Sequence, residues 1–325
     1  MKRVLYIFQS GWLRRKDNTL VLEDGEGNRR SIPVEAVSDI NVFGEITLNT
    51  KLLNFLSHHH ITLHFFNYYG YYTGSFYPRE YYNSGLITLL QAQHYLEPQK
   101  RLYLAKAFVM GGILNMAKNL NRYDLKEEAD IFVESLASLK DMEDTAQLMA
   151  YEGNMRERYY SKWNEILKSD VFTFVRRTRR PPDNPINALI SFGNSLLYVS
   201  ALSAIYRTHL DPRIGYLHET NRRSFTLNLD LAEVFKPIIV DRVIFRLVNR
   251  RQITEEHFSI DANMAYMTEE GMKIFIQEYE SKLRDTIYYR NIGKVSYRRL
   301  LRIECYKLYK HFLGEVPYSP FVIKD

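Results

Sequence analysis

The chain has 325 residues, 46% of them apolar, and Lys+Arg 44 against Asp+Glu 38 gives a formal net charge of +6. This supplies a sizeable core for one large domain or two ordinary ones and excludes wholesale disorder; a mildly basic balance alone says little about partners. Cys305 is the only cysteine, which excludes an intrachain disulfide and any Cys-based zinc site and fits a reducing, cytoplasmic setting.

From Lys2 to about Gly74 the pattern is short and alternating, with strands expected at Val4–Phe8, Thr19–Leu22, Ile40–Phe43 and Ile61–Phe65. The basic start followed by Val4–Phe8 superficially suggests a signal peptide, but the stretch is too short and runs into Trp12-Leu-Arg-Arg-Lys16, so it reads as a strand. Thr50–Leu56 reads as a short helix whose end is His58-His59-His60 rather than a metal tract. After Asn83-Ser84-Gly85 the period changes, and Pro98 sits where the first position of a helix belongs. Further helices are expected at about 125–139, 144–168, 185–208, 229–249, 269–285 and 297–313, with almost nothing strand-like after residue 90. No apolar run reaches the roughly 18 residues of a membrane helix. The expected class is α+β by domain: an N-terminal β-sheet domain over 1–85, then a larger all-α domain over 86–325.

Three places in the helical part carry chemistry. On the helix around 144–168, Leu148, Met155, Tyr159, Trp163 and Ile166 define one apolar face, and Glu152 lies on it. A carboxylate there is costly unless paired or metal-bound, and taken alone an ion pair with Arg156, one turn on, is the simpler account. Gly215-Tyr-Leu-His218 follows the turn Leu210-Asp-Pro-Arg213, and a lone loop histidine is more often structural than a ligand. In Leu229-Asp230-Leu-Ala-Glu233, two carboxylates share a helical face, and Pro237 should kink or loosen the helix. Acids early in a helix explain Asp230 better than Glu233. Together, a Glu, a His and an acidic pair form an oxygen-rich ligand set with one imidazole, suited to Mn²⁺ or Mg²⁺. Such an ion can activate a hydroxyl nucleophile and neutralise a phosphodiester. Arg176, Arg177, Arg179 and Arg180 cluster within five residues, and Arg298, Arg299 and Arg302 recur at helical spacing. Each cluster is either a solvated face or a phosphate contact.

The series Ile32-Pro33 to Val42-Phe43-Gly44, Ile61–Phe65, Tyr69-Gly70, Glu152-Gly153, Arg180–Leu189, Leu210 through His218, and Leu229–Glu233 with Pro237 spans nearly the whole chain. In this order it resembles the CRISPR-associated adaptation integrase, the metal-dependent nuclease that inserts new spacers into CRISPR arrays. The resemblance implies Glu152, His218 and Glu233 as metal ligands, with Asp230 beside them in the catalytic set, and Mn²⁺ or Mg²⁺ as the ion. It implies two linked transesterifications, in which a 3′-hydroxyl of a short DNA duplex attacks a phosphodiester at the leader–repeat junction and a second attack takes place on the other strand. It also implies double-stranded DNA (prespacer and repeat) as substrate, a homodimer formed through the β-domain, and a complex with the small ferredoxin-like adaptation subunit, with no membrane. Candidate DNA contacts are Arg156, Arg176, Arg177, Arg179, Arg180 and Lys236. Many members carry an Arg five residues after the first glutamate; here that position is Glu157, with Arg156 one place earlier, which puts the DNA-facing role of Arg156 in doubt. Two other classes remain open: a non-catalytic nucleic-acid scaffold, needing only the Arg clusters and the Tyr-rich stretch Phe65–Tyr82, and a hydrolase of small phosphoesters.

Overall fold

The computed structural model describes every residue except Met1, Asn83, Arg180, 221–224, 262–263, 290–291 and Asp325. The chain divides into two units, Met1–Tyr81 and Tyr82–Asp325, so the division falls just ahead of the composition shift at residue 85.

The first unit holds β1 (Arg3–Ile7), β2 (Gly11–Lys16), β3 (Thr19–Glu23), β4 (Arg29–Pro33), β5 (Val37–Val42), β6 (Ile46–Thr47), α1 (Thr50–His58), β7 (Thr62–Phe66) and β8 (Tyr72–Phe76). They form two four-stranded sheets, ordered β1-β5-β7-β8 and β4-β3-β2-β6. In the first sheet β1, β5 and β7 run parallel and β8 closes it antiparallel. Val37–Val42 is buried along almost its whole length although Asp39 and Asn41 are polar, and Thr62 Oγ1 of β7 donates to Asp39 Oδ1 at 2.7 Å, whereas burial alternates along Leu5–Ile7 of β1. Leu13, Leu20, Ile40, Leu52, Leu56 and Leu63 belong to the shared core. The Asn49 side chain accepts from Leu52 N at 2.9 Å and starts α1. The three histidines end that helix, with His60 at φ +56, as the sequence suggests.

The second unit contains α2 (Gly85–Leu96), α3 (Pro98–Arg122), α4 (Lys126–Ser135), α5 (Thr145–Ser161), α6 (Trp163–Ile166), α7 (Pro185–Tyr206), α8 (Leu227–Phe235) and α9 (Arg242–Asn249). Next come β9 (Phe258–Asp261), β10 (Met264–Met267), α10 (Glu269–Arg284), β11 (Thr286–Tyr289), β12 (Gly293–Ser296) and α11 (Tyr297–Phe312). The two hairpins β9–β10 and β11–β12 correct the expectation that strands are nearly absent after residue 90. Four-residue strands are too short to show a period between long helices. A second correction concerns α7, which is uncharged and has mean hydropathy 1.6 over an 18-residue stretch, long and apolar enough to cross a membrane by length and composition. Asn187, Ser191, Asn194 and Ser195 interrupt the run and hide it from inspection, and 72% of that stretch is buried in the unit, as in a core helix.

The helix expected at 229–249 is broken as Pro237 requires: α8 passes into a π-helical turn, Pro237–Asp241, before α9. Two asparagines of α3 take up carbonyls there. Asn115 Nδ2 donates to Val234 O at 2.9 Å, and Asn119 Nδ2 donates to Pro237 O at 2.6 Å and to the Tyr159 hydroxyl at 2.9 Å. The same turn is pressed against α7. A Cβ on Gly193 would lie 2.5 Å from Val240 Cγ1 and 2.8 Å from Phe275 Cζ. Gly193→Ala is therefore expected to lower stability by about 1–3 kcal/mol, since both neighbours are packed core side chains. Thermal or urea melts of wild type and variant measure it, and an unchanged midpoint would refute the close approach.

Candidate metal centre

Helices α5 and α8 both pack on α3, which brings Glu152 and Arg156 of α5 face to face with Glu233 of α8. The buried Arg156 guanidinium bridges the two acids: Nε donates to Glu152 Oε1 at 2.9 Å and Nη2 to Glu233 Oε2 at 2.7 Å. Lys236 closes the other side of Glu233 through Nζ to Oε1 and lies 5.2 Å from the Tyr198 ring centroid. Burial would raise the Glu233 pKa, but Lys236, then Arg156, outweigh it and hold the carboxyl at about 2. The same charges act in reverse on Lys236, which is pushed above its ordinary range against desolvation by Glu233.

His218 arrives from the loop before α8. Gly215 is required there because a Cβ would stand 2.8 Å from Thr226 Cβ and Oγ1, and Gly215 N donates to that hydroxyl at 2.9 Å. Asp230, fully buried in the first turn of α8, accepts from the backbone N–H of Tyr216 at 2.5 Å, Leu217 at 3.1 Å and His218 at 2.9 Å. It also accepts from His218 Nδ1 at 2.8 Å, which leaves Nε2 as the imidazole's lone-pair nitrogen. A carboxylate on one ring nitrogen is how ligating histidines are oriented. Burial disfavours a charged His218, yet the Asp230 hydrogen bond and charge prevail and raise its pKa above the ordinary value.

Glu152 and Glu233 thus meet on one cation, and His218 lies within electrostatic reach of Glu233. Among the described residues, no three or more His, Cys, Asp or Glu side chains are gathered as a ready-made ion site. The donor chemistry nevertheless fits a hard divalent ion: two carboxylates already held together by positive charge, and one imidazole whose tautomer is fixed. The Glu152–Arg156 ion pair that the sequence offered as an alternative is present in the same geometry.

The six candidate DNA contacts separate. Arg156 and Lys236 are buried against carboxylates instead of facing solvent. Arg177 is half-buried, donating to Asn187 Oδ1 at 3.0 Å and Ser191 Oγ at 2.9 Å, and so pins the start of α7. Arg176 is 76% exposed, with Nε 3.9 Å from Asp183 Oδ2, and Arg179 is exposed, while Arg180 lies outside the described residues. Asp241 escaped the sequence reading. It is 1% exposed and burial pushes its carboxyl up to about 7, against the pull of Arg156. An acid inside Pro237-Ile-Ile-Val-Asp-Arg-Val-Ile-Phe245 was the available signal.

The arrangement defines a two-unit protein with a partly buried carboxylate–histidine centre in its helical unit. Residues 5–281 match the family described as CRISPR associated protein Cas1. The chain is 51% identical over 328 residues, covering 99% of both chains, to the CRISPR-associated endonuclease Cas1 2 of Thermodesulfovibrio yellowstonii. A solved Cas1 structure from Thermotoga maritima superposes with TM-score 0.92 at 48% identity, covering 98% of this chain and 100% of that one. A casposase bound to integration product shares the fold at TM-score 0.87 and 20% identity, covering 99% of this chain and 93% of that one. This chain belongs to the Cas1 family.

The depressed Glu233 pKa carries a sign. Its contribution to stability is fully present above the unfolded value of about 4.5 and is lost as pH falls toward about 2. The melting-temperature difference between wild type and Glu233→Gln should therefore be constant above about pH 5.5 and shrink below about pH 4.5. A difference independent of pH across that window would contradict the ion-paired state.

Proposed function

We propose that this chain is a divalent-metal-dependent DNA endonuclease and integrase of CRISPR adaptation, with Glu152, His218 and Glu233 as the ligands of its ion. The observation that carries the reading is the convergence of the half-buried Glu152 and the buried Glu233 on Arg156, beside a histidine whose Nε2 is left available by Asp230. Membership of a family whose relatives are named endonucleases supports it. The likeness to the casposase is one of fold, so the joining chemistry comes to this chain as part of the proposal. When bound, a Mn²⁺ or Mg²⁺ ion would supply Lewis acidity toward the attacking 3′-hydroxyl and the phosphodiester.

The residues have distinct tasks in this reading. Glu152 and Glu233 would provide the carboxylate oxygens that hold a hard divalent ion. His218 must be neutral to contribute Nε2, and Asp230 fixes its ring while raising its pKa, so metal affinity falls toward acid pH. Exposed Arg176 and Arg179 give the duplex backbone a sequence-independent contact. Pairing of two copies through the β-unit, assembly with the small ferredoxin-like subunit and a cytoplasmic location belong to the same proposal.

A scaffold that binds nucleic acid without chemistry is the reading the Glu152–Arg156 pair favours. It predicts that DNA binding and thermal stability ignore Mn²⁺, whereas a native-state ligand at 100 Kd adds about 2.7 kcal/mol. Glu152→Ala and His218→Ala are expected to abolish Mn²⁺-dependent joining of a labelled 3′-hydroxyl duplex to a repeat-containing target, while circular dichroism and melting remain cooperative. Full joining activity in either variant would sink the assignment.

A further inference from the structure

Asp241 is a strongly buried carboxylate of this region to which the centre gives no task. Neither of its oxygens has a hydrogen-bond partner, and the same is true of the buried Arg156 Nη1. The Tyr159 hydroxyl lies near enough to draw the Asp241 pKa down but not in hydrogen-bonding geometry. Arg156 is the largest charge acting on Asp241, and Asp241 in turn acts on Arg156. A buried acid at the end of the π-helical turn and a buried guanidinium, each with polar atoms that lack a hydrogen-bond partner, are therefore within electrostatic reach of one another.

The bridging position of Arg156 creates a conflict for any ion. Its donors occupy Glu152 Oε1 and Glu233 Oε2, and Lys236 holds the remaining oxygen of Glu233. Two carboxylates already balance two fixed cations, so a divalent ion entering there is repelled until one cation withdraws. Arg156 cannot give up its proton, and moving it into an apolar wall without a partner would be prohibitive.

We propose that Asp241 is the alternative seat of Arg156: the guanidinium clamps Glu152 and Glu233 in the metal-free protein and turns onto Asp241 when an ion takes those carboxylates. This rests on the metal reading of the centre. Asp241 acts only through Arg156, so it is a positioning residue. Its benefit to metal binding disappears when Arg156 is absent.

The test is Mn²⁺ titration of the full chain by calorimetry, with circular dichroism to verify folding, on wild type, Asp241→Asn, Arg156→Gln and the double variant. Asp241→Asn should weaken Mn²⁺ binding by about tenfold or more, the usual loss for outer partners of a metal site. Arg156→Gln should bind at least as tightly as wild type, and the double variant should match Arg156→Gln. Wild-type affinity in Asp241→Asn would overturn the switch and leave the metal reading standing. So would an undiminished Asp241→Asn effect in the Arg156→Gln background. If Asp241→Asn does not fold, Arg156→Gln decides: weaker binding than wild type would mean that Arg156 assists the ion rather than competes with it, which overturns the proposal. Absence of any Mn²⁺ binding to wild type would remove the metal reading and the switch together.

Discussion

Two carboxylates cannot converge where water is largely excluded without positive charge between them, and this constraint organises the helical unit. Glu152 and Glu233 come from helices far apart in sequence, and Arg156 is the cation that meets both. Lys236, one turn from Glu233, completes a local balance of two negative and two positive charges. Such a cluster in low dielectric is tolerable only while complete: removing one member leaves another charge uncompensated. The surrounding packing is correspondingly tight, with Tyr159, Trp163 and Phe245 in edge-on contact beneath α5.

The break at Pro237 makes the cluster possible. A continuous helix from residue 227 to 249 would run one unbroken hydrogen-bond ladder. The proline removes a donor, and the π-helical turn adds a residue that rotates α9 about the helix axis by about 100°. Asn115 and Asn119 bond carbonyls in this region, so α3 is both the packing platform and the hydrogen-bond partner of the irregular backbone. The π-helical turn ends at the buried Asp241. The loop bearing His218 is governed in the same way by one residue, Asp230, which collects three backbone donors and a ring nitrogen. Helix-end electrostatics accounted for an acid at that position, but the loop-folding task is the larger one.

Much of this architecture is legible from local stereochemistry. Alternating strands, helix starts at Pro98 and Pro185, the end of α1 at the histidines and the loosening at Pro237 all depend on it. Glu152 is conspicuous as a carboxylate on an apolar stripe. The short strands β9, β10, β11 and β12 are not legible, because they are too short to establish a period, nor is α2, whose Ser84 cap resembles an ordinary loop. The arginines show the sharpest limit. In sequence they look alike, yet Arg177 is bonded to α7, Arg156 is enclosed by carboxylates and Arg176 is exposed.

The sequence by itself determined the elements, the change from β to α organisation and the residue types that mark the Cas1 family, since these rest on interactions between near neighbours or on motifs in fixed order. Tertiary structure alone decided which charges meet. Arg156 reaches both Glu152, four residues away, and Glu233, seventy-seven residues away, and only the second contact depends on how α5 and α8 pack on α3. Buried electrostatics falls off over a few ångströms and depends on desolvation, neither of which is written in the order of residues.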